Sequence, residues 1–138
     1  MLEYPLPSHI NAEVKLPHSL LLQRADGIIE IRCADDFTYE TEHIIENQRC
    51  LKQFAGKGKV RVLNIIGKYT SITNEARAHI AKGGHKDFIA AEAFLIRSLP
   101  HRLLAQFFIK ANKPIVPARY FAYDQKEEAE KWLFQYSI

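Results

Sequence analysis

The chain has 138 residues, 47% hydrophobic and 25% charged, with a formal net charge of +3. A chain of this length suits one domain that buries about two-thirds of its unfolded surface, so it needs no disulfide or metal staple. The charge is small and evenly spread rather than gathered into the basic face that nucleic acid recognition requires, and no apolar run approaches the ~20 residues of a bilayer span. The opening Met-Leu-Glu-Tyr-Pro-Leu-Pro lacks the basic and apolar regions of a secretion signal. The expectation is a soluble, cytoplasmic protein without nucleic acid partners or membrane insertion.

Pro5 and Pro7 mark the first ten residues as an arm without regular structure, and the domain is placed at 19–138, with residues 1–18 outside it. Ser19 to Arg24 and Ile28 to Cys33 are apolar-rich runs around Ala25-Asp26-Gly27, a hairpin signal because glycine takes positive φ cheaply. Ile29 and Ile31 alternate with Glu30 and Arg32, which predicts a wetter face on the second strand.

A helix is expected from Tyr39 to Ala55. Thr38 is its N-cap, Glu40 and Glu42 add acid in the first turns, and Ile44, Leu51 and Ala55 form an apolar stripe. Gly56-Lys57-Gly58 ends it. Val60 to Ile66 reads as a central strand buried on both faces. Thr73 caps a short helix through Ala81, and Gly83-Gly84 stops it.

Phe88 to Ile96 is a second buried strand carrying one charge, Glu92. Ser98 caps a helix with Pro100 in its first turn and Leu99, Leu103, Leu104, Phe107, Phe108 and Ala111 on its apolar face. Ala118 to Tyr123 is the last strand. Asp124 and Glu127 give a capping-box-like start to a final helix bearing Ala129, Trp132, Leu133 and Tyr136. The order β-β-α-β-α-β-α-β-α predicts one α/β domain, a mixed sheet of about five strands with four helices.

This succession, over Ser19 to Phe134, resembles the STAS (SpoIIAA-like) fold of bacterial anti-sigma-factor antagonists and of the cytoplasmic tails of sulphate transporters. It is most similar to the divergent, mostly uncharacterised bacterial members. The most family-like stretch runs from Pro117 to Leu133, and its motifs are packing patterns. In the antagonists a kinase phosphorylates a serine at the helix start after the strand equivalent to Val60–Ile66, and the added charge dismisses a protein partner. Matching Gly67 to the family glycine puts Asn64 where the family has an acid, and Thr73-Asn74 opposite its serine pair. The resemblance therefore implies binding or phosphorylation at Ser71, Thr73 and Asn74.

Other candidates have ordinary structural readings beside the chemical ones. Lys82-Gly83-Gly84-His85-Lys86 contains glycines that follow a helix, whereas a phosphate loop leads into one. His79, His85 and His101 lack metal-ligand spacing. Cys50 with His43, and Glu92 with Arg97, are conceivable reactive pairs without an identified orienting group. Cys33 and Cys50 read as free thiols. Phe107, Phe108, Trp132, Phe134 and Tyr136 read mostly as core by their spacing, and any left exposed would mark an interface.

The expectation is a non-enzymatic regulatory or protein-interaction module, with an unidentified protein partner and a homodimeric form. It has no catalytic residues, cofactor or metal site. The alternative is a binding module for an anionic or lipid-like small molecule.

Overall fold

The hairpin around Asp26-Gly27 forms for the reason its turn suggests. In the computed structural model, which describes residues 4–97 and 115–138, β2 (Ser19–Arg24) and β3 (Ile28–Cys33) pair antiparallel. Gly27 takes φ 91° at the turn. Asp26 Oδ1 accepts from the Ile28 N–H at 3.2 Å, and the Arg24 guanidinium forks onto the same carboxylate.

The remaining elements are β1 (Ile10–Lys15), β4 (Thr38–Tyr39), α1 (Thr41–Ala55), β5 (Val60–Ile65), β6 (Ser71–Ile72), α2 (Asn74–Ala81), β7 (Ile89–Ile96), β8 (Ala118–Ala122) and α3 (Lys126–Leu133). Six strands form one sheet in the order β1-β2-β3-β5-β7-β8. The first three are antiparallel, and β3, β5, β7 and β8 are parallel. The fold is α/β with a mixed sheet.

Two cores lie on opposite faces of this sheet, as parallel strands require. On one face Leu51 of α1 packs among Leu21, Ile29, Ile31, Val60, Val62 and Ile89. On the other, Ala129 and Leu133 of α3 pack among Ile28, Leu63, Ala91, Ala93, Leu95 and Phe121. No described helix is long and apolar enough to cross a membrane.

Several local expectations change. Residues 10–15 of the expected arm form β1, because Val14 and Leu16 find apolar neighbours on the α1 face. Helix α1 starts two residues later than predicted, since Thr38 and Tyr39 pair in parallel with Ser71 and Ile72 as a separate two-stranded sheet. Glu40, not Thr38, is the N-cap, and its N–H donates to His43 Nδ1 at 2.9 Å.

Gln125 replaces Asp124 at the cap of α3 and accepts from the Ala122 N–H at 2.9 Å. Phe134 is exposed rather than core, with the Arg61 guanidinium 5.3 Å from its ring centroid. The expected five strands and four helices are thus corrected to eight strands in two sheets and three helices among the described residues. The predicted helix from Ser98 to Ala111 lies outside those residues.

The face expected to be wet is dry at its centre. Glu30 is 0% exposed. Its carboxylate lies 2.8 Å from Arg32 Nε, 3.3 Å from Arg24 Nη1 and 3.7 Å from Lys126 Nζ. Arg24 also reaches Glu130 at 2.6 Å, and Arg32 donates to the Tyr4 and Pro5 carbonyls, 2.6 Å each. A carboxylate out of water requires this degree of pairing. The network joins the β2–β3 hairpin, the helix after β8 and the start of the described chain.

Candidate functional site

The corner after β5 is built by two loops that close on one another. Residues 34–37 follow β3 and residues 66–70 follow β5, so both loops leave the carboxyl ends of neighbouring parallel strands. Asp35 Oδ1 accepts from the Lys68 N–H at 2.7 Å, and the Asp36 N–H donates to the Lys68 carbonyl at 2.7 Å. Thr70 Oγ1 donates to the Ala34 carbonyl at 2.7 Å, and the Ser71 N–H donates to the Phe37 carbonyl at 2.9 Å.

Gly67 sits at the point of closest approach. A Cβ there would stand 2.6 Å from Asp35 Oδ1 and 2.8 Å from both the Cys33 carbonyl oxygen and Thr70 Oγ1. The glycine is needed for space.

This knot holds Tyr69 in an unusual state. Its φ is 57°, a left-handed conformation that costs an L-residue about 1–2 kcal/mol, and its side chain faces solvent, with the residue 80% exposed. Asp36 across the junction has φ 51°. Such conformations persist where the surroundings over-determine them, and they cluster at functional sites.

Ser71, Thr73 and Asn74 are brought to one rim. Ser71 is exposed, its Oγ 2.9 Å from Thr38 Oγ1. Thr73 is the N-cap of α2, as its position predicted, and its Oγ1 accepts from the Ala76 N–H at 3.1 Å. Asn74 is exposed at the first helical position. Asn64, by contrast, is buried in β5, with Nδ2 3.4 Å from the Ala93 carbonyl. Thr73→Ala should lower stability by about 1 kcal/mol, read as a shift in the urea midpoint. An unchanged midpoint would show that the cap contributes nothing.

Sequence reasoning missed the ring cluster beneath this corner. His18, Phe37, Tyr39 and His43 stack or meet edge-on, with centroids 4.8–6.2 Å apart. The Tyr39 hydroxyl lies 2.7 Å from Ser19 Oγ and donates to the His18 carbonyl. The alternation of Phe37 with Tyr39 on an extended segment was the signal available, and it joins two of the four rings.

Burial raises the Tyr39 phenol, and the neighbouring Cys33 raises it further. Burial also pushes the Cys33 thiol up to about 11, against the opposing effect of its hydrogen bond with Tyr39. An unfolded thiol ionises at about 8.5, so the neutral Cys33 favours the fold fully below that pH. This contribution fades as pH rises toward about 11. The urea midpoint should therefore fall across this alkaline window, and Cys33→Ala should flatten the fall. A slope that the substitution leaves unchanged would contradict the assignment.

The other candidates fall in separate places. His43 lies in the ring cluster, whereas Cys50 borders the α1-side core. Both cysteines are free thiols. His79 Nε2 is 3.3 Å from Gln48 Oε1. His85 Nε2 is 3.3 Å from Glu92 Oε2, while the Arg97 guanidinium lies 3.9 Å from the Tyr123 ring centroid. His101 is outside the described residues.

Gly83, at φ 71°, turns the chain just after α2, and its N–H donates to the Ile80 carbonyl at 3.0 Å, as a helix-ending glycine does. Glu40, Glu42 and His43 bring ligand-type atoms within 4.8 Å of one another. His43 Nδ1 is already engaged by the cap of α1.

A family model described as a domain of unknown function, DUF7793, matches residues 22–137. The chain belongs to this family. The DUF7793 match spans the ion network at Glu30, the corner and α3, and begins within β2. No curated protein and no solved structure matches the chain.

Proposed function

We propose that this DUF7793 domain is a non-enzymatic, STAS-like regulatory or protein-interaction module whose working surface is the corner from Gly67 to Arg77. The observation that carries the reading is Tyr69, an aromatic side chain presented to solvent by a backbone that the two loops hold rigid. Exposed tyrosines on rigid supports are effective binding anchors, because little side-chain freedom is lost on docking. The loop after β3 carries Asp35 and Asp36, and the segment from Lys68 to Arg77 carries Lys68, Glu75 and Arg77, so the corner's own sequence holds both signs of charge.

Regulation would act at the rim. Phosphate on Ser71 or Thr73 would add negative charge beside the unpaired N–H groups at the start of α2. A homodimeric form belongs to the same reading.

The alternative, a pocket for an anionic or lipid-like small molecule, finds less support. A hollow of about 300 Å³ is lined by Lys59, Lys86, Asp87, Ile89, Ala90, Ile115, Val116 and Pro117. It lies at the amino ends of the parallel strands, away from the corner, and its lining mixes charged with apolar groups. Small-molecule sites are mostly apolar and enclosing.

The test is capture of native partners by the tagged wild-type chain and by Tyr69→Ala, with Thr73→Glu as a charge mimic. The reading expects a protein that the wild type retains, that Tyr69→Ala loses and that Thr73→Glu binds differently. Identical retention by all three chains would overturn the assignment of the corner.

A further inference from the structure

The outer edge of β1 is unpaired among the described residues, since β1 ends the sheet. The adjoining turn decides what this edge offers. Leu16 and Ser19 exchange both backbone hydrogen bonds, N to O at 2.8 Å and 3.4 Å. Such pairs alternate along an antiparallel ladder. Val14 opposite Leu21 and Ala12 opposite Gln23 therefore turn their N–H and C=O groups toward β2. Glu13 opposite Leu22 and Lys15 opposite Leu20 turn theirs outward.

Glu13 and Lys15 are exposed, whereas Val14 and Leu16 pack against the α1-side core. The edge thus carries one acid and one base on the two residues whose backbones are free to pair.

We infer that this edge joins two copies of the chain, β1 against β1, antiparallel about a two-fold axis with Val14 opposite its own counterpart. In that register Glu13 of each copy faces Lys15 of the other, and each of these pairs can exchange two backbone hydrogen bonds. Ala12 comes opposite Leu16, so an apolar row continues on the α1 side while the charged pairs lie on the α3 side. Pro17 has no N–H and ends the ladder beside Lys15.

The charges select the register. One step in one direction puts Glu13 opposite Glu13, and one step in the other puts Lys15 opposite Lys15, and like charges directly opposite are unfavourable. A lysine on an edge strand ordinarily repels other chains; here Glu13 of the second copy answers it. The contact is isologous and closes at two copies. It gives the homodimer of the proposed function a surface, and it uses no residue of the corner.

The experiment is light scattering on the full chain eluting from a sizing column over a dilution series. The wild type should have the mass of two chains at high micromolar concentration and dissociate on dilution. Glu13→Lys and Lys15→Glu should each weaken the dimer by about tenfold, as two attractive pairs become repulsive. The double variant should restore it.

Directly opposed residues of a non-hydrogen-bonded pair stand ~4.5 Å apart at Cα, so Val14→Cys should cross-link under mild oxidation where the parent chain does not. A single-chain mass at every concentration, or a dimer indifferent to Glu13→Lys, would overturn the proposal. Tyr69→Ala should leave the dimer intact, which separates this result from failure of the corner.

Discussion

Glu30→Gln should destabilise the chain by about 3–5 kcal/mol, the cost expected when one partner is removed from a buried ionic group. The carboxylate is 0% exposed, whereas the side chains of Arg24, Arg32 and Lys126 around it are 12–21% exposed. Loss of its charge leaves three partly buried cations facing one another, with Asp26 and Glu130 as the other carboxylates paired to them among the described residues.

Glu130→Gln is the informative control. Its side chain is 20% exposed and touches Arg24 and Lys126 only at the edge of the network, so the loss should be smaller. The check is urea denaturation of both variants under two-state conditions. Equal losses, or a loss below about 1 kcal/mol at Glu30, would mean that water reaches this carboxylate and that the network belongs to the surface.

The second large effect is expected at Gly67. Adding a single Cβ sets it 2.6 Å from Asp35 Oδ1 and 2.8 Å from the Cys33 carbonyl oxygen. The carbonyl belongs to the end of β3 and has little freedom to withdraw. Asp35 can move only by giving up its bond to the Lys68 N–H. Overpacking of this kind typically costs about 1–3 kcal/mol, and here it should also release the left-handed Tyr69.

Gly67→Ala should therefore lower the thermal midpoint and abolish partner capture together. At Gly84 an added Cβ meets nothing within 4 Å, so Gly84→Ala should stay within about 0.5 kcal/mol of wild type. Were Gly67→Ala as stable as Gly84→Ala, the closeness of the two loops would not be a structural requirement.

The sequence revealed features whose causes are local. The Asp26-Gly27 turn, the buried run of β5 and the Thr73 cap each depend on residues within a few positions of one another. Their patterns were readable for that reason. β1 was hidden because Ile10–Lys15 exposes most of its residues and owes its order to pairing with β2. β4 and β6 are two residues each, too short for any periodicity, and they exist because their two segments meet.

Glu30 was misread because alternation reports the faces of a strand, not what covers them. Lys126, on a helix 96 positions away in sequence, helps to close that face. The same limit holds at the corner. The position of Thr73 and Asn74 at the start of α2 follows from the strand-to-helix step, whereas the exposed, left-handed geometry of Tyr69 depends on the loop after β3. The ring cluster likewise needs His18 from the turn before β2, Phe37 beside β4 and His43 from α1. No local pattern assembles those residues.

The central claim, that the corner docks a protein partner, is tested most directly by backbone hydrogen exchange on the domain with and without a partner recovered by native capture. The account predicts slowed exchange of the amides from Lys68 to Arg77, centred on Tyr69. Protection confined to other elements, with the corner exchanging as it does in the free chain, would contradict it.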